Sequence, residues 1–199
     1  MPTTISRIGF GQVEPNHLSA QRTGQIYAQL PANASIEVLE NGQFVKYDYA
    51  TGEVNTTGKG EWMLVFNEVK LYDERNQRRK DYAMIKTDFT PGSEDITHYG
   101  MGPLKGQMVP RVLKTNVGDI YTTNCFKEGN KSATEKVGTS VSLDVKDMLK
   151  VNAQGFLEKA GGDEYALDPN GAKEPMLWQV VKVYTMPDGQ PGVKIMRVK

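Results

Sequence analysis

Trp62-Met63-Leu64-Val65-Phe66, continued by Asn67-Glu68-Val69-Lys70-Leu71, decides how this chain of 199 residues is read. Five consecutive apolar residues can bury both faces of a strand. The alternation after them, with Val69 and Leu71 on one side and Glu68 and Lys70 on the other, buries only one. The run therefore predicts a strand that starts between two layers and emerges at a sheet rim. A charged tip follows, Asp73-Glu74-Arg75-Asn76-Gln77-Arg78-Arg79-Lys80, and then Tyr82-Ala83-Met84-Ile85. The simplest expectation is a long hairpin over Trp62 to Ile85 with a solvated loop.

Strand signals surround this hairpin on both sides. Ile36-Glu37-Val38-Leu39-Glu40 and Gln43-Phe44-Val45-Lys46-Tyr47 flank Asn41-Gly42, a pair that tolerates positive φ twice and so favours a type I′ hairpin. Turns at Ala50-Thr51-Gly52-Glu53 and Thr57-Gly58-Lys59-Gly60 complete an expected four-strand meander from Ser35 to about Thr87. Further strands are expected over Arg111–Lys114, Asp119–Phe126 and Ser140–Val145. Asp147–Val151 could form a helical turn, and Asn152-Ala153-Gln154-Gly155 a hairpin turn. Met176–Tyr184 and Val193–Val198 make a final hairpin about Pro187-Asp188-Gly189. Around ten short strands and almost no helix predict an all-β chain, a barrel or a sandwich, possibly as two small β modules.

The expected organisation has four parts. Residues 1–34 read as an extended N-terminal arm, because Gly9, Gly11, Pro15, Gly24 and Pro31 interrupt isolated apolar residues, with one weak helical turn at Leu18–Arg22. Residues 35–90 form a β meander module, 91–110 a Gly/Pro-rich junction, and 111–199 a second module or the remainder of the same barrel. Disordered tails carry few apolar residues, so an arm bearing Phe10, Leu18, Ile26, Tyr27 and Leu30 needs a surface to lie against, its own body or a partner.

Composition narrows the function. Lys plus Arg and Asp plus Glu are 24 each, so nothing global attracts the chain to nucleic acid or an anionic membrane. A single cysteine, Cys125, excludes an internal disulfide and a cysteine-rich metal site, in keeping with synthesis in a reducing cytoplasm. No window reaches the length of a membrane span, and no secretory pattern opens the sequence. His17 and His98 stand alone rather than in a metal-binding spacing. Cys125, between Asn124 and Phe126, reads as a buried structural thiol before a nucleophile. The pairs Asp73/Glu74 and Glu94/Asp95 read as solvated charges, since neighbours on a strand point to opposite faces. No nucleophile elbow, phosphate loop or dinucleotide fingerprint is present, so neither an enzyme nor a cofactor is expected. Arg75, Arg78, Arg79 and Lys80, between Tyr72 and Tyr82, could meet phosphates and stack bases. Asp73, Glu74 and Asp81 cancel most of that charge, which favours a soluble tip or a charged docking tip for a partner protein.

The arm wording Leu18-Ser19-Ala20-Gln21-Arg22-Thr23-Gly24-Gln25-Ile26, with Leu39-Glu40-Asn41-Gly42-Gln43-Phe44-Val45 and Val117-Gly118-Asp119-Ile120-Tyr121-Thr122-Thr123-Asn124, resembles small virion structural proteins of tailed bacteriophages. Capsid decoration or cement proteins are the nearest type. The resemblance covers the whole chain in style and rests on no diagnostic motif. It implies a non-enzymatic protein made in the host cytoplasm and carried on the virion capsid. Its partners would be the major capsid protein and neighbouring copies of itself, with no membrane and no nucleic acid. The arm residues would then be contact residues. A head–tail connector, tail or baseplate part, or a barrel binding single-stranded nucleic acid through the basic tip, stand as alternatives.

Overall fold

The computed structural model describes residues 2–5, 10–67, 83–86, 107–126, 141–161, 176–186 and 189–199. Within them the protein is all-β, and none of its sheets closes into a barrel. The expected central run forms β7 (Trp62–Val65) in a five-stranded sheet with β3 (Ile26–Tyr27), β9 (Val112–Leu113), β5 (Phe44–Asp48) and β6 (Glu53–Asn55), in the order β3-β9-β7-β5-β6. β7 is the middle strand, and its side chains alternate between two cores as the apolar run requires. Trp62, Leu64 and Phe66 enter one core, Met63 and Val65 the other.

A second, six-stranded sheet holds β13 (Leu157–Lys159), β12 (Met148–Val151), β14 (Leu177–Thr185), β15 (Pro191–Arg197), β10 (Ile120–Thr123) and β2 (Val13–His17), in that order. Its inner face supplies Tyr121, Leu149, Val151, Leu157, Trp178, Val180, Val193 and Ile195 to the larger core, against Phe44, Trp62, Leu64 and Leu113 of the five-stranded sheet. Two sheets facing one another over a shared apolar layer make a sandwich-like fold. The ribbon of β1 (Thr3–Ile5) and β11 (Val141–Leu143) adds Ile5 and Leu143 to that layer. The far face of the five-stranded sheet packs a smaller core, Leu39, Val45, Tyr47, Val54, Val65, Met108 and Val112. β4 (Val38–Glu40), paired with β8 (Ala83–Ile85), contributes Leu39 to it.

Several expectations change. β7 and β8 are not hairpin partners: β7 pairs with β5 and β9, whereas β8 pairs with β4. The tip at 73–80 lies outside the described residues. β4 and β5 do not form a type I′ hairpin either. Gln43 N–H donates to Glu40 O (3.1 Å), but of the two central residues only Gly42 has positive φ, at 94°, as a type II turn demands. The chain thus turns a corner from the ribbon into the sheet, and the expected meander is replaced by strands divided between two sheets, β4 and β8 in the ribbon and β5, β6 and β7 in the five-stranded sheet. Where Asp147–Val151 could form a helical turn, Met148–Val151 is strand β12. The β12–β13 turn at Asn152–Gly155 and the β14–β15 hairpin form as expected.

The described residues of the N-terminal segment, 2–5 and 10–34, lie against the protein's own body. β1 pairs with β11, β2 with β10 and β3 with β9. Each strand is two to five residues long, too short for periodicity to show, so tertiary pairing decides the structure. The helical turn α1 (Ser19–Thr23) ends on Gly24 with φ 70° and is fastened by Ser19, whose N–H and Oγ both donate to Asp119 at 2.9 Å. The portions before and after residues 91–110 share both the larger core and the five-stranded sheet.

Three of the four edges of the two main sheets are blunted. β2 carries Pro15, β6 is bridged by Ala32 and β13 by Phe126.

Candidate functional site

Of the expected contact residues, Phe10 and Leu18 are buried, with Leu18 in the larger core. Ile26 is half-buried against that core, and Tyr27 and Leu30 against the smaller one. The structure brings Tyr27 and Leu30 together at one place, the phenol of Tyr47. Its oxygen accepts from Gln29 N–H at 2.9 Å and Leu30 N–H at 3.3 Å, while its ring meets Tyr27 at 5.3 Å. The charged tip residues Arg75, Arg78, Arg79 and Lys80 lie outside the described residues, as does His98. His17 ends edge strand β2, and Cys125 is fully buried.

The sequence reading missed the surface at the end of the β5–β6 hairpin. Tyr49 lies there, 69% exposed, the most exposed large hydrophobic residue among those described. Its ring rests edge-on against Tyr47 with centroids 5.7 Å apart. Tyr27, Tyr47 and Tyr49 therefore form a ladder from the half-buried β3 edge to solvent. A tyrosine held this way presents area with little rotamer freedom left to lose on binding. The alternation Tyr47-Asp48-Tyr49 was a visible signal, but it ran into a turn and did not mark a face.

Beside this hairpin is a recess of about 340 Å³. Its walls are hydrophilic, with Asp48, Glu53, Asn55 and Asn33 prominent and Ile36 the one apolar side chain. β-pairing sets Asp48 directly opposite Glu53, and alternation along β6 places Asn55 on the same face as Glu53. The positions were legible only as turn residues, because the walls come from three segments joined by pairing.

A third feature is the buried polar knot around the Glu40–Gln43 corner. Gly11 N–H donates to Glu40 Oε2 (2.6 Å) and Gln43 Nε2 to Gln154 O (3.0 Å). Asn41 exchanges two bonds with Asn67: its Nδ2 donates to Asn67 O (3.2 Å), and its Oδ1 accepts from Asn67 N–H (2.8 Å). These bonds tie the corner to segments far along the chain, which is structural work. Deeper in the larger core, Tyr121 OH and Trp178 Nε1 are buried with no hydrogen-bond partner. Burial, and then the neighbouring Cys125, holds the Tyr121 phenol well above its usual pKa, so it remains neutral.

Among the described residues no group of three or more His, Cys, Asp or Glu side chains could hold a metal ion, and no helix is long and apolar enough to cross a membrane. The chain matches no protein family model, no curated protein and no solved structure.

Proposed function

We propose that this protein is a non-enzymatic structural component of a virion, one that binds the major capsid protein in many copies and strengthens the shell. The observation that carries the reading is Tyr49, an exposed aromatic ring braced by Tyr47 and Tyr27. Interface energy concentrates in such rigid aromatic anchors. The blunted edges at Pro15, Ala32 and Phe126 add a second support, because a shell-bound subunit must not chain with its own copies through open strands. The wording of the sequence that resembles decoration proteins supplies the virion context.

The contact surface moves relative to the sequence expectation. Phe10 and Leu18 serve the protein's own core, so docking falls to the hairpin end, with Tyr27 and Leu30 as its support. Many modest contacts repeated over a symmetric shell gain by avidity, so no single site needs high affinity. The experiment is re-binding of purified protein to particles stripped of it. Tyr49→Ala is expected to weaken attachment by about tenfold or more while leaving the unfolding midpoint unchanged. Attachment unaffected by Tyr49→Ala would remove the hairpin from the interface. A connector or tail position is the second virion reading, and copy number per particle separates it.

A further inference from the structure

We infer that the recess beside the β5–β6 hairpin is a binding site for a neutral, hydroxyl-rich ligand, a saccharide in chemical class. The inference is independent of the virion reading.

Its size, about 340 Å³, lies within the range of about 300–1,000 Å³ that small-molecule sites occupy. Its polarity then selects the ligand. An apolar molecule would desolvate carboxylates and amides without replacing their water hydrogen bonds. An anion would face Asp48 and Glu53 with no lysine or arginine in the walls, and a metal ion would find too few ligands, since among the described residues no group of three or more His, Cys, Asp or Glu side chains could hold one; Lys46, two positions before Asp48 on the same face, sits over the Trp62 ring at 4.5 Å.

The hydrogen bonds already made leave a particular set of groups unused. Asp48 Oδ1 accepts from Ala50 N–H (3.0 Å) and Thr51 N–H (3.4 Å), Glu53 Oε2 from Asn33 Nδ2 (2.6 Å), and Asn55 Oδ1 from Gly58 N–H (2.6 Å). These bonds fix the side chains; among the described residues Asp48 Oδ2, Glu53 Oε1, Asn55 Nδ2 and the hydroxyls of Thr56 and Thr57 make no further hydrogen bond, and all five residues line the recess. Two charged acceptors, one amide donor and two groups that do both match neighbouring sugar hydroxyls, each of which donates once and accepts twice.

Gly58 keeps the floor open. A Cβ there would lie 2.9 Å from Asp48 Oδ2 and 2.6 Å from Asn55 Oδ1, in the space between the two groups.

The test is titration of ¹⁵N-labelled full-length protein with glucose, galactose, mannose and N-acetylglucosamine, followed by amide shifts. Saturable shifts confined to the recess amides, Ser35, Thr51 and Gly58 among them, are expected for at least one sugar. Gly58→Ala and, as a variant that preserves shape, Glu53→Gln should each weaken that binding by about tenfold or more with the rest of the spectrum unchanged. Silence with all four sugars overturns the proposal. So does sugar binding that both variants retain, or saturable shifts at these amides with calcium chloride or free arginine and none with sugars.

Discussion

Phe44 and Trp178 meet across the two main sheets with ring centroids 5.9 Å apart, and Trp178 in turn takes Tyr121 edge-on at 5.1 Å. Phe44 comes from the five-stranded sheet, the other two from the six-stranded sheet. All three are fully buried. This contact is where the two layers become one body.

Truncating either ring should therefore be severe. Phe44→Ala and Trp178→Ala are each expected to cost about 3–5 kcal/mol in denaturant unfolding. A double-mutant cycle on the milder Phe44→Leu and Trp178→Leu should return a coupling of about 0.5–1.5 kcal/mol, the range of paired aromatic rings. Strict additivity would mean the rings only share a core.

Much of this arrangement was legible because its cause is local. The apolar run at Trp62–Phe66 specifies a strand buried on both faces, and the alternation in Met176–Val198 with its Asp-Gly turn specifies the last hairpin. The Asn41-Gly42 corner was misread for a non-local reason. Asn41 spends its side chain on Asn67, and the ribbon partner of Val38–Glu40 is Ala83–Ile85. Nothing in the dipeptide tells a hairpin from a corner. The N-terminal segment reads as an arm because its strands are shorter than any period, and only the fold reveals that Leu18 belongs to the larger core. Tyr49 and the recess were the least legible, since their geometry exists only after β5 and β6 pair.

Two glycines separate backbone strain from collision. Gly52 has φ 72° with nothing within 4 Å of an added Cβ, so Gly52→Ala should cost only the left-handed penalty of about 1–2 kcal/mol. Gly155, with φ 83°, would drive a Cβ into the carbonyl oxygen of Phe44, which itself has its N–H bonded to Gly155 O at 2.6 Å. Gly155→Ala should exceed about 4 kcal/mol in the same unfolding assay. Equal losses would contradict the packing described for the β12–β13 turn.

Tyr121 predicts a pH dependence. Burial first, and Cys125 second, raise its folded pKa well above the value near 10 that it takes when unfolded. Above about pH 10 the unfolded chain sheds this proton while the folded protein keeps it, so stability is complete below that pH and falls as pH rises beyond it. Tyr121→Phe should flatten that alkaline loss, measured as the denaturation midpoint against pH. At neutral pH the change should be close to neutral, because the hydroxyl it removes has no hydrogen-bond partner. An alkaline slope unchanged in Tyr121→Phe would assign the effect to other groups.

Pro15 should matter for self-association more than for stability. It occupies edge strand β2, opposite Tyr121 of β10, and takes one backbone donor out of that edge. Pro15→Val restores a donor to the open edge, and light scattering at rising protein concentration should report larger species than the parent forms. Identical scattering would show that the edge is protected by something other than this residue.

The central claim, a shell-bound structural protein, is tested most directly by quantitative mass spectrometry of gradient-purified particles from the source, counting this chain against the most abundant shell protein. The account predicts about one copy for every few shell subunits, because a symmetric shell repeats each contact around its surface. Absence of the chain from purified particles would contradict it.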